Sequence, residues 1–106
     1  MQTFEIFHDA MGNRTEILEP SDSRYAIVLA AATAKTVAVP AGTRVVLFNA
    51  TGPFWVGYDN IPYIPTEDIV DGSAGEYCPS GRKISGRQRL GFIAPAACTV
   101  SLSFFR

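Results

Sequence analysis

Residues 99–104 alternate without a break: Val100, Leu102 and Phe104 fall on one side, Thr99, Ser101 and Ser103 on the other. A period of two is the repeat of a strand with one buried face, because successive side chains point in opposite directions. Short runs of the same kind recur along the chain. Residues 43–49 carry apolar side chains on both faces, with Val45 and Leu47 against Val46 and Phe48, as a central strand does. Residues 53–58 set Phe54, Val56 and Tyr58 against Trp55, and 89–93 place Leu90 and Phe92 together. Residues 36–39 bring Val37 and Val39 to the turn signal Pro40-Ala41-Gly42. Near the start, 3–8 offers Phe4 and Ile6, with 15–18 as a hairpin partner. One stretch, 25–34, is alanine-rich enough for a helix capped by Ser21, Asp22 or Ser23; β-branched Ile27-Val28 and the neighbouring strands favour a strand and a turn instead. No segment sustains a 3.6-residue period with caps at both ends.

About seven to eight short strands at regular spacing predict an all-β chain, a single antiparallel β-sandwich or jelly-roll-like domain over residues 1–106. A chain of this length buries about two thirds of its unfolded surface, enough for one core without staples. With 47% hydrophobic and 18% charged residues, intrinsic disorder is excluded. The longest apolar run, 26–32, falls far short of a bilayer span, and the first residues carry neither a basic nor an apolar leader, so no membrane partner and no secretory signal are expected. A net charge of −1 disfavours a general nucleic-acid binder. The longest irregular stretch, 59–81, holds Pro62, Pro65, Pro79 and several glycines. It also holds Tyr63, Ile64, Ile69, Val70 and Tyr77, too apolar a set for a disordered linker, so one long ordered loop lying against something is expected.

Charge is segregated along the chain. Asp59, Glu67, Asp68, Asp71 and Glu76, five of the ten acids, lie in a stretch without Lys or Arg; Arg82, Lys83, Arg87 and Arg89, four of the nine bases, follow without an acid between them. Two loops that pair within one subunit would explain this, and so would an acidic arm meeting a basic edge on a neighbouring copy. Contact of the basic block with nucleic acid is a weaker third reading.

No residue set points to catalysis. His8 is the single histidine, and Asp9 beside it would point to the opposite face of a strand. The chain has no nucleophile elbow, Walker loop or dinucleotide fingerprint. Cys78 and Cys98 form no metal-ligand cluster; Cys98 reads as a small buried hydrophobe, Cys78 lies in a turn, and their pairing stays open. Residues 66–72 are carboxylate-rich but do not follow the spacing of a calcium loop. No catalytic residue, metal or cofactor is therefore assigned. Trp55, Tyr58 and Tyr63 cluster around a turn, where exposed aromatics could stack on sugar rings or cover an interface. Of Phe104 and Phe105, a regular strand turns one outward, and Phe105 is assigned to a partner contact.

Val39-Pro40-Ala41-Gly42-Thr43 runs into Arg44-Val45-Val46-Leu47-Phe48-Asn49-Ala50-Thr51-Gly52, then Phe54-Trp55-Val56-Gly57-Tyr58-Asp59. Leu90-Gly91-Phe92-Ile93-Ala94-Pro95 and Val100-Ser101-Leu102 follow later. This pattern resembles small β-sandwich virion proteins of tailed bacteriophages. The likeness covers about two thirds of the chain at the level of fold analogy, and 59–81 departs from it. It implies a non-enzymatic structural role in the virion, foremost as a capsid decoration (cement) protein. That protein would be made in the bacterial cytoplasm, form a homo-oligomer such as a trimer, and contact the major capsid protein or other virion proteins. A neck or tail accessory, or a carbohydrate- or receptor-binding module, is the alternative. The contact residues expected are Trp55, Tyr63, Arg82, Lys83, Arg87 and Phe105, with Glu67, Asp68 and Asp71 opposite.

Overall fold

The computed structural model describes residues 1–4 and 20–106. Among the described residues there are eight strands: β1 (Ser23–Leu29), β2 (Lys35–Ala38), β3 (Val45–Ala50), β4 (Trp55–Tyr58), β5 (Glu76–Tyr77), β6 (Gly81–Lys83), β7 (Arg89–Ile93) and β8 (Cys98–Phe105). The hairpin expected over 3–8 and 15–18 lies outside the described residues, apart from Thr3 and Phe4, and so does His8.

The pairing is nested. β1 pairs with β8, β2 with β7, β3 with β6 and β4 with β5, all antiparallel. This doubled ribbon is rolled up so that β3 also meets β8 and β4 also meets β7. The result is two four-stranded sheets, β1-β8-β3-β6 (sheet I) and β2-β7-β4-β5 (sheet II). That order is the jelly roll, an antiparallel β-sandwich. Every connection except the one between β4 and β5 crosses from one sheet to the other. The stretch 25–34 shows why alanine content misleads. Its first half is β1, Ala32 turns with a positive φ of 53°, and Ala31 bridges to Ala94 before β2 begins in the opposite sheet.

The core is the layer between the sheets. Val100, Leu102 and Phe104 of β8 are fully buried there, with Val46 of β3, Val56 of β4, and Leu90 and Phe92 of β7; Phe48 of β3 is buried beside them. Phe48, Phe54 and Phe92 form a triangle with ring centroids 6.0–6.4 Å apart, joining the two sheets, and Tyr25 meets Phe104 edge-on at 4.9 Å. Cys98 is buried as a small apolar group, while Cys78 is exposed at a turn with φ +46°; both are free thiols. Lys35 Nζ donates to Val28 O (3.1 Å) on β1, the outermost strand of sheet I among the described residues.

Packing that is remote in sequence overturns one expectation and shows what the long loop lies against. Phe105 does not face outward to a partner. Phe4 packs edge-on against it at 5.5 Å, and residues 2–4 exchange backbone hydrogen bonds with Arg106, so the chain covers its own last aromatic. The long loop lies against its own sheet. Gly57 and Gly91 face each other across β4 and β7, and the backbone of residues 60–62 crosses directly over them. A Cβ at Gly91 would collide with the Asn60 carbonyl and stand 2.8 Å from Pro62 Cδ; one at Gly75 would stand 3.0 Å from Pro62 Cβ. Missing side chains thus make the track on which the strap is seated.

Gly91→Ala is therefore expected to lift the strap and lower stability by about 1–3 kcal/mol, as overpacking does. Urea unfolding checks this; an unchanged midpoint would show that the strap is not held by this contact.

Candidate interaction surface

The register of sheet II builds an aromatic row on its outer face. Trp55 lies opposite Ile93 on one side and Tyr77 on the other. Partners in antiparallel register share a face, so the three side chains stand together. The Trp55 and Tyr77 rings are tilted 49° with centroids 4.8 Å apart. Tyr77 is 55% exposed, and the adjoining strap exposes Ile61 (65%) and Tyr63 (52%). Large apolar groups left outside a well-filled core mark a surface suited to a partner. Trp55 and Tyr63 are the residues anticipated from the sequence. Tyr77 was missed: its strand has only two residues, and no local pattern announces the register that sets it beside Trp55.

The charged residues divide into two groups. Arg82 on β6 binds Glu76 on β5, Nε to Oε1 at 2.8 Å, and Glu76 also accepts the Tyr58 hydroxyl at 2.6 Å. Since β5 and β6 are the terminal strands of different sheets, this pair clasps one side of the sandwich. Partial burial opposes ionisation of Glu76, but the hydrogen bonds from Arg82 and Tyr58 outweigh it and hold the carboxyl below its ordinary range. Burial, followed by the bond to Glu76, pushes the Tyr58 hydroxyl well above the usual phenol range.

Asp59 performs a second internal task. It takes a positive φ of 59°, which Asp tolerates. Its Oδ1 accepts the backbone N–H groups of Gln88 (2.8 Å) and Arg89 (2.9 Å). Arg87 Nη1 lies 3.9 Å from its other oxygen. Hydrogen bonds from Arg89 and Gln88, with a smaller contribution from the Arg87 charge, depress the Asp59 carboxyl. Pairing within the subunit thus accounts for Arg82 and, weakly, for Arg87.

Among the described residues the other charges of the two segregated blocks have no such use. Glu67 and Asp68 are exposed, and Asp71 receives only the N–H and hydroxyl of Ser73. Among the described residues none of these three is ion-paired, and neither is Lys83 or Arg89. No group of three His, Cys, Asp or Glu able to hold a metal occurs among the described residues. Comparison with protein-family models, curated proteins and solved structures returned no match.

Asp59 gives a pH prediction. Its carboxyl is depressed in the folded state, so its contribution to stability is present above the unfolded value near about 4 and fades as pH falls through the folded value. Asp59→Asn keeps an oxygen for both N–H groups and tolerates the same φ, but does not titrate. The variant should show a shallower loss of stability between about pH 5 and pH 2, read as urea midpoints against pH. Identical acid limbs would remove Asp59 from this role.

Proposed function

We propose that this chain is a non-enzymatic structural protein of a tailed-bacteriophage virion, a capsid decoration protein that stabilises the head by binding across subunit boundaries. The observation that carries the reading is the pairing of half-buried Trp55 with exposed Tyr77 on the outer face of sheet II, with Ile61 and Tyr63 also exposed on the strap. Trp and Tyr are the side chains that dominate binding energy when desolvated, and here they are presented by strands and a seated strap. The resemblance adds support. Its segments, 39–59 and 90–105, contain β3, β4, β7 and β8, the central strands of both sheets. The departing segment, 59–81, supplies the strap, Tyr63 and Tyr77. A virion family would keep the frame and vary the segment that meets its own shell.

Mass spectrometry of purified virions tests this directly, using the phage whose genome carries the reading frame and separating heads from tails. The chain should appear in heads at a fixed ratio to the major capsid protein. Its absence from virions would overturn the proposal, and its confinement to tails would move it to the neck or tail. Trp55→Ala or Tyr77→Ala should weaken attachment to heads stripped of the protein by at least about tenfold, the scale of a central contact.

The Trp55–Tyr77 pair also favours a second reading, a carbohydrate platform. Trp55 is the single tryptophan, so its fluorescence reports that face alone. Saturable quenching by host polysaccharide would favour this reading over attachment to the shell.

A further inference from the structure

The turn at 39–44 and the turn at 84–88 enclose a groove of about 720 Å³. It is firmly built: Val39 N–H donates to Gln88 O (2.9 Å), Ile84 N–H to Arg44 O (2.7 Å), and Thr43 Oγ1 to Pro40 O (2.7 Å). Val39 and Pro40 give it half-buried apolar surface, and Arg44 and Arg87 stand exposed in its lining. Lys83 extends the basic surface, lying opposite Val45, the residue after Arg44; Arg89 extends it beyond Gln88. Among the described residues Arg44, Lys83 and Arg89 make no ion pair, and Arg87 has only the 3.9 Å approach to Asp59.

The complementary pattern occurs on the same chain. Residues 67–71 present Glu67, Asp68 and Asp71, with Val70 between them 93% exposed. An apolar side chain flanked by carboxylates on an exposed segment matches a groove that offers Val39 and Pro40 between the Arg44 and Arg87 guanidinium groups. Neither set of charges is satisfied by the other within one subunit. We propose that the groove between the two turns receives segment 67–71 of a second copy of this chain. The contact joins different patches on the two partners, so it is heterologous: repeated around a closed rotation it gives a ring. Its charged rim makes association salt-dependent and fixes register, while Val70 against Val39 and Pro40 supplies apolar burial.

The inference deepens the virion reading by naming a copy-to-copy contact, and the two fail separately. A monomer found in virions removes this contact alone, and an oligomer absent from virions removes that reading alone. Sedimentation equilibrium of the full chain is the test. The wild-type chain should self-associate, and raising salt from about 0.05 M to about 0.5 M should weaken association at least tenfold. Arg44→Gln with Arg87→Gln, and separately Glu67→Gln with Asp68→Asn, should each weaken it at least tenfold, with thermal melts confirming intact folds. Mixing the two variants should restore a one-to-one pair and nothing larger, because one keeps a groove and the other a segment. A monomeric wild-type chain, salt-insensitive association, variants that associate like wild type, or a mixture that stays monomeric would each overturn the proposal. The salt series needs no substitution, so it decides even if a variant folds poorly.

Discussion

The register of β8 is the constraint on which the rest of the sandwich depends. This strand lies between β1 and β3, and the inward side chains Val100, Leu102 and Phe104 are wholly buried. A slip of one residue would bring Thr99, Ser101 and Ser103 into the core and turn the three apolar side chains outward. Each of those polar groups would then need a buried partner, while several kcal/mol of apolar burial would be lost. Ser21 reinforces the correct setting: its hydroxyl donates to Phe104 O at 2.6 Å. The nested pairing also means that Ser23 meets Phe104, near the other end of the chain. Closure of the core thus waits on contacts remote in sequence, the topology associated with slow folding.

Features written within one strand were legible in the sequence. The alternation of 99–104 and the two-sided apolar character of 43–49 translate directly into β8 and β3, both internal in sheet I. Features written between strands were not. Gly57 and Gly91 look like ordinary punctuation until β4 and β7 pair and bring them together under the strap. Phe105 looks like a loose aromatic until Phe4 arrives to cover it. Tyr77 becomes half of an aromatic pair only through a two-residue strand. Charge segregation was visible, but not how the charges divide. Nothing local distinguishes Glu76 and Asp59, used inside the subunit, from Glu67 and Asp68, left at its surface.

The jelly roll hosts many unrelated functions, so the fold alone assigns none. What distinguishes this chain is the labour given to residues 59–81. They begin with Asp59, which fastens the β6–β7 turn, and continue through a strap seated on a glycine track. They then leave the sheet as an exposed acidic segment and return as β5, where Tyr77 joins Trp55 and Glu76 binds Arg82. Both ends of the excursion are tied to the frame and its middle is presented outward.

That arrangement has an energetic consequence for binding. A free arm of this length would lose much of its gain on association to the ordering of its backbone, about 1–2 kcal/mol per residue. Here the entropy of ordering 59–62 and 75–77 is already offset in the isolated subunit by the glycine contacts, the Asp59 hydrogen bonds and the β4–β5 pairing. Less would remain to be ordered at those two ends if the surface met a partner, so the Trp55–Tyr77 pair is preorganised. The same economy would let pairing within the subunit coexist with the proposed pairing between copies in one charge-segregated stretch. Glu76 and Asp59 tie the two ends of the excursion to the frame, and Glu67, Asp68 and Val70 are exposed between them. In the proposed contact the internal pairs would fix the geometry of the excursion, and the outward charges would supply the register of association.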